Sequence, residues 1–111
     1  MTIQEANRAL CEALEPEPDY RSGWQGAFSP LGLWMWDGKN WQPVDFINSE
    51  EASLRLLKAI LKDGYHMSFS ENSLDIFKFG KCVRMIYEPF ELSVYLAGLA
   101  WKQGERPEDL K

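Results

Sequence analysis

The segment that most restricts the fold is a tryptophan-rich hairpin pattern between residues 31 and 46. It reads LGLWMWDGKNWQPVDF and contains an Asp-Gly turn signal. A four-residue loop after Trp36 pairs this residue with Trp41, and alternation places Trp34 on the same face. The opposite face is also apolar and carries Leu33, Met35 and Val44. We therefore expect one face to cover the core and the other to need a cover of its own.

Three segments have the apolar spacing of helices. The strongest reads NSEEASLRLLKAILKDG, in which Asn48 and Glu51 predict a capping box and Gly64 predicts a left-handed residue at the C-terminal end. Leu57 and Ile60 lie three apart on its apolar side, so we expect both in the core. The last segment, PFELSVYLAGLAWKQG, is apolar nearly all round and is expected to be buried. The predicted helices span residues 2–14, 48–63 and 89–103, and Thr2 and Glu5 predict a capping box at the start of the first.

Three short strands are predicted between the second and third helices. They read YHMSFS, SLDIFKF and CVRMIY. The Gly-Lys signal at residues 80–81 predicts a turn that pairs Phe79 with Cys82, and Phe77 then lies opposite Arg84. Because apolar residues fall on both faces of this sheet, we expect helices on both. The predicted class is α+β, as an α/β/α sandwich with a small antiparallel sheet, a tryptophan-rich hairpin, two packing helices and an N-terminal helix.

The length of 111 residues suits one domain, which we predict over residues 1–103, followed by a charged tail over 104–111. Residues 15–27, where two prolines break the first helix, are expected to be irregular. The net charge of −5 argues against sequence-independent binding of nucleic acid. The N-terminal segment lacks the pattern of a signal peptide, no apolar run is long enough for a membrane helix, and two cysteines are too few for a disulfide scaffold. We therefore expect a cytoplasmic protein with free thiols and no membrane partner.

The order of these segments resembles that of the phage ABA sandwich family of small phage and prophage proteins. The resemblance covers residues 1–103 and is carried by the tryptophan-containing stretch and three further segments. These are Asp45 to Ser49 before the long helix, Gly64-Tyr65 after it, and the small-residue-rich Leu96 to Ala100 in the last helix. The resemblance implies an α/β/α sandwich and a bacteriophage or prophage origin in a bacterial host cell. It carries over no catalytic residues.

Two groups of residues are candidates for binding. The first is Trp34, Trp36 and Trp41, since tryptophan is enriched in binding hot spots, although indoles of this kind also fill small cores. The second is an aromatic and cationic group around the second hairpin, where lysines interleave with the aromatic side chains and can present both to a nucleotide. Its alternative is burial under a helix. The members of this second group are Phe77, Phe79 and Arg84.

Reaction chemistry is not indicated by any motif. His66, the one histidine, has serines nearby but no nucleophile motif around it, so a structural or surface role is expected. The acidic stretch EPEPD does not fit the EF-hand pattern, and the glycines form no phosphate-binding motif. We therefore expect no enzymatic activity, no cofactor and no metal.

The functional prediction is a non-enzymatic phage or prophage accessory protein that acts by binding. A host protein is the first choice of partner, in a counter-defence or host-takeover role, and self-association is also expected. The alternative is a protein that binds or sequesters a small nucleotide-like ligand between oligomer subunits, held by aromatic and basic side chains.

Overall fold

The structure is a computed structural model that describes residues 1–14, 18–70, 73–86 and 90–107. It contains three helices and two small antiparallel three-stranded sheets, so the predicted α+β class is confirmed. The chain divides into two compact units, one over Met1–Asp45 and one that begins at Phe46. The predicted single domain over residues 1–103 stays a prediction. The elements are α1 (Ile3–Leu14), β1 (Tyr20–Ser22), β2 (Leu33–Trp36), β3 (Trp41–Pro43), α2 (Glu50–Lys62), β4 (His66–Phe69), β5 (Ser73–Lys78), β6 (Lys81–Ile86) and α3 (Phe90–Gln103).

Helix α1 begins at the predicted cap. The Thr2 hydroxyl accepts a hydrogen bond from the backbone N–H of Glu5 at 3.1 Å and donates to the Glu5 carboxylate at 3.2 Å. This satisfies one of the backbone donors that every helix N-terminus leaves open. The buried stripe of the helix consists of Ala6, Asn7, Leu10, Cys11 and Leu14.

The first sheet has the order β1-β2-β3 and contains the tryptophan hairpin in its predicted register, with Trp36 opposite Trp41 and Trp34 opposite Pro43. The Asp37 carboxylate closes the turn by accepting hydrogen bonds from two backbone N–H groups, at 2.8 and 2.7 Å. The face opposite the indoles is buried and carries Leu33 and Met35. The prediction of irregular chain over residues 15–27 is wrong for β1, which pairs with β2 along Tyr20–Ser22.

Helix α2 is confirmed, with its N-cap one residue later than predicted. Ser49, not Asn48, accepts the hydrogen bond from the backbone N–H of Ala52, at 3.2 Å. At the other end Gly64 has a φ of +91°, as predicted for a left-handed C-terminal residue. Ile60 is fully buried as predicted, whereas Leu57 is only half-buried.

The second sheet has the order β4-β5-β6, and its hairpin register differs from the prediction by two residues. The turn residues are Phe79-Gly80, so Phe77 lies opposite Cys82 and not Arg84. Both turn residues have positive φ, +52° and +81°, as a type I′ turn requires. This register places Arg84 directly opposite Asp75, and the ion pair between them favours it.

A shift of two residues leaves every side chain on its predicted face. One face of the second sheet, which carries Leu74, Ile76 and Met85, is buried, and α3 packs against β5 and β6. Helix α2 packs against α3 in turn. The opposite face of this sheet is exposed at Phe77, Cys82, Arg84 and Ile86, so the expectation of a cover on both faces is wrong for the described residues.

Helix α3 begins at Phe90, and every residue from Ser93 to Ala100 is buried, as its all-round apolar pattern predicted. The predicted first helical position, Pro89, lies outside the described residues, as does the end of the charged tail. No helix in the described part of the chain is long and apolar enough to cross a membrane.

Candidate functional site

The six candidate binding residues fall into the two units of the chain. Trp34, Trp36 and Trp41 lie in the first unit, and all three are half-buried, so they are neither full core residues nor freely exposed. The second group lies in the second unit, where Phe77 and Arg84 belong to the exposed sheet face. Phe79 lies in the turn and is 94% exposed.

A groove of about 510 Å³ lies on the indole side of the first sheet, within the size range of small-ligand sites. We call it the tryptophan groove. Two of the predicted residues, Trp34 and Trp41, line it together with residues that the sequence had not indicated. Its lining residues are Arg21, Ser22, Trp24, Trp34 and Trp41.

The Trp24 side chain is held in place mainly by contacts with Trp34. The two rings stack with centroids 5.5 Å apart and an interplanar angle of 18°, and the Trp34 Nε1–H donates to the Trp24 carbonyl oxygen at 2.8 Å. A Cβ at Gly26 would lie 3.2 Å from the Trp24 ring, a tight contact that would require the ring to move by a few tenths of an ångström. Although held, Trp24 remains 69% exposed.

The loop that carries Trp24 is anchored to the strands at Ser29 and Gly32. The buried Ser29 hydroxyl accepts from the Leu33 N–H at 3.0 Å and donates to the Leu33 carbonyl oxygen at 2.8 Å. Gly32 has a φ of +66°, and a Cβ there would lie 2.7 Å from the carbonyl oxygen of Gly23. These constraints place Trp24 over the groove before any ligand arrives, which lowers the entropy lost on binding.

The tryptophan groove is also lined by Arg21 and Trp41. The Arg21 guanidinium carbon lies 3.7 Å from the centroid of a Trp41 ring, which is cation–π geometry. At the hairpin tip, Trp36 packs beside Trp41 on the same face of the sheet, with ring centroids 5.5 Å apart and an interplanar angle of 59°. A fixed positive charge in the groove opposes cationic ligands and favours neutral or acidic ones.

Arg84 is engaged in an ion pair on the exposed face of the second sheet. Its Nε and Nη2 donate to the two Asp75 carboxylate oxygens at 2.9 and 3.1 Å. These hydrogen bonds hold the pKa of Asp75 below its ordinary value of 3.8, against the opposite effect of partial burial. On the same face the His66 ring stacks on Phe77 with centroids 5.4 Å apart, which is a packing role for the histidine.

A second concave site, of about 320 Å³, lies in the second unit where the Phe79-Gly80 turn meets the end of α3. We call it the lysine pocket. Of the predicted residues only Phe79 lines it, because Phe77 and Arg84 point to the other face of the sheet. The residues that line the lysine pocket are Tyr65, Ile76, Lys78, Phe79, Lys81, Val83, Ala100 and Gly104.

Lys78 is the most constrained charged group of the lysine pocket. Its Nζ donates to the Asp63 carbonyl oxygen at 2.7 Å and lies 5.0 Å from the Tyr65 ring centroid and 5.4 Å from that of Phe79. The Asp63 carboxylate itself accepts a hydrogen bond from Trp101 Nε1 at 2.8 Å. The ammonium group is therefore positioned at the C-terminal end of α2, where a helix favours positive charge.

Among the described residues, no three or more histidine, cysteine, aspartate or glutamate side chains lie together so that they could hold a metal ion. Comparison of the chain with known protein families, with curated proteins and with solved structures finds no match. The functional interpretation therefore depends on the geometry of the two sites.

Sequence reasoning missed Arg21 and Trp24 in the groove, and Tyr65 in the pocket. For Arg21, the available signal was the sequence YRS at residues 20–22, in which the alternation of apolar and polar residues is too short to indicate a strand. Trp24 lies ten residues before Trp34, and only the folding back of the loop brings the two rings together.

Proposed function

We propose that this protein is a non-enzymatic binding protein whose tryptophan groove takes an extended, proline-containing segment of a partner protein. The observation that carries the proposal is an open groove lined by Trp24, Trp34 and Trp41, in which the Trp24 ring is already stacked on Trp34. Proline-rich segments dock in aromatic-lined grooves because their left-handed extended helix is already formed before binding.

Size and charge favour this ligand over the alternatives. A helix has a diameter of about 10–12 Å and needs anchors over two turns, which five lining residues do not supply. The cation at Arg21 opposes a methylated ammonium ligand, the usual occupant of an aromatic cage. A polyanionic nucleic acid would meet one arginine in the groove and a net charge of −5 on the chain.

The biological setting of the proposal is that of a phage or prophage accessory protein acting on a host protein. It is supported by the resemblance of residues 1–103 to the phage ABA sandwich family. An acidic residue beside the prolines of the host segment would complement Arg21.

The first prediction is that Trp24→Ala weakens binding of a proline-rich decapeptide containing one aspartate by about 2 kcal/mol, roughly 30-fold in Kd. Isothermal titration calorimetry measures this, with the same peptide in which alanines replace the prolines as the negative ligand. Trp24 is 69% exposed, so the thermal midpoint should change little. Phe28→Ala is the matched control, since Phe28 is an exposed aromatic residue of the same loop that does not line the groove.

Equal affinity for the proline and alanine peptides would contradict the proposal. So would tighter binding of guanosine monophosphate than of the peptide, which would favour the nucleotide alternative. Loss of binding in Phe28→Ala to the same extent as in Trp24→Ala would place the contact outside the groove.

A further inference from the structure

We propose that the lysine pocket is a second binding site, and that its ligand is a small amphipathic monoanion: a carboxylate or sulfonate on an apolar group. The inference does not depend on the tryptophan groove, which lies in the other unit of the chain. Its volume of about 320 Å³ is at the lower end of the range for small-molecule sites, too small for a folded partner element.

The floor of the lysine pocket is apolar. Ile76 and Ala100 are each 2% exposed, and Val83 is half-buried beside them. These three side chains have no hydrogen-bonding groups, so they favour an alkyl or aryl portion of a ligand and give nothing to the polar edges of a nucleobase. Ala100 in the last turn of α3 and Gly104 just after the helix leave space for a ligand because their side chains are small.

The rim of the lysine pocket is cationic. Lys78 and Lys81 are direct cross-strand partners next to the turn, and like charges in this position destabilise a hairpin. No described residue that lines the pocket is acidic, although the chain has 17 acidic residues against 12 basic ones. An anion between the two ammonium groups offsets their repulsion and is therefore favoured there.

Lys78 is already oriented for such a ligand. Its hydrogen bond to Asp63 and its place over the Tyr65 ring fix the ammonium group, which still has two N–H donors. The carboxylate of Asp63 accepts a hydrogen bond from Trp101, and Asp63 is not among the residues that line the pocket.

Phe79 occupies an energetically unfavourable position in the hairpin. It is an apolar side chain that is 94% exposed, and its φ of +52° lies in the left-handed region that a bulky residue rarely adopts. The exposed ring adds little packing to the isolated fold, and the left-handed φ, which the type I′ turn requires, is strained for phenylalanine. Both are compensated when an apolar ligand lies between Phe79 and the floor, since residues held in unfavourable conformations cluster at ligand sites.

The test uses the full chain with sodium octanoate as probe and 1-octanol as the neutral control of the same chain length. We expect octanoate to shift the backbone amide NMR signals of Val83, Ala100 and Gly104, with an affinity at least tenfold higher than that of 1-octanol. Because the contact is partly electrostatic, the affinity for octanoate should fall as salt is raised from low to molar concentration.

Lys81→Gln should weaken octanoate binding about tenfold, while Lys39→Gln, on the exposed turn of the other hairpin, should leave it unchanged. Phe79→Asn suits the left-handed turn position better than phenylalanine and keeps the hairpin folded, so its loss of binding reports the missing ring. A cooperative thermal transition in each variant confirms that it is folded.

Three results would overturn the inference. The first is equal affinity for octanoate and 1-octanol, the second is unchanged octanoate binding in Lys81→Gln, and the third is signal shifts at Trp24 and Trp34 in place of the pocket. Adenosine monophosphate, titrated in parallel, should bind more weakly than octanoate. Tighter binding of the nucleotide would contradict the inference and indicate a nucleotide ligand.

Discussion

At the scale of single residues, the sites depend on a few side chains whose surroundings are unusual for their type. Arg84, predicted as a ligand-binding residue, instead forms an ion pair with Asp75. Its Nε and Nη2 both donate to the Asp75 carboxylate, so its charge is largely matched within the sheet. Among the aromatic residues that line the two sites, Trp24 and Phe79 are the exposed ones, at 69% and 94% exposure.

The ion pair predicts a specific pH dependence. Since Arg84 lowers the pKa of Asp75 in the folded chain, the pair stabilises the fold above the ordinary value of 3.8 and loses this contribution as pH falls through the lowered pKa. In Arg84→Gln the pKa of Asp75 should rise, and the stability difference from the parent chain should shrink below pH 3.8. Carboxyl carbon NMR titration measures the pKa. Arg55→Gln, which removes a different ion pair, should leave the Asp75 value unchanged.

The turn conformation of Phe79 gives a second prediction at this scale. A bulky residue in the left-handed region costs about 1 kcal/mol, and asparagine adopts this region much more readily. Phe79→Asn should therefore raise the free energy of unfolding by about 0.5–1 kcal/mol, measured by urea denaturation. A clear decrease would show that the exposed ring contributes packing energy to the fold.

At the scale of elements, the leucines of α2 differ widely in how much of each side chain is exposed. Leu56 is fully buried, Leu57 is half-buried and Leu61 is 48% exposed, all within two turns of one helix. The helix begins at Ser49, and the Ser53 hydroxyl donates to the Phe46 carbonyl oxygen at 2.8 Å, which joins the helix to the preceding chain. These contacts fix the rotation of the helix against α3.

Alanine substitutions along α2 should follow this order. Leu56→Ala should destabilise the protein by about 2–5 kcal/mol, the range for a fully buried leucine. Leu61→Ala, the same chemical change at an exposed position, should stay within about 0.5–1 kcal/mol. Leu57→Ala should lie between them. Equal losses at all three positions, measured by thermal and urea unfolding, would contradict the observed rotation of the helix.

At the scale of the whole molecule, charge distribution separates the two sites from the rest of the surface. The chain has a net charge of −5, whereas the described charged residues lining the tryptophan groove and the lysine pocket are all basic. Extended polyanions are opposed by the overall charge, while short ligands with one negative group experience mainly the local cation. Both proposed ligands therefore carry a single negative group: one aspartate in the peptide and one carboxylate or sulfonate in the amphipathic anion.

The sequence by itself determined the elements whose signals are local. Thr2 and Glu5 marked the start of α1, the Asp-Gly turn set the register of the tryptophan hairpin, and the apolar run predicted the burial of α3. These features depend on neighbours within a few residues, so hydrogen-bond geometry and side-chain period are sufficient to predict them.

The tertiary structure decided what depends on contacts between distant residues. The ion pair of Asp75 and Arg84 favours the observed register of the second hairpin, in which the turn lies at Phe79-Gly80. Strand β1 exists because β2 supplies its partner, which places Arg21 over Trp41, and the loop at Gly32 returns Trp24 to Trp34. Each of these contacts gains energy only after the chain has closed a loop, and residue types along the sequence do not show which closure is the most stable.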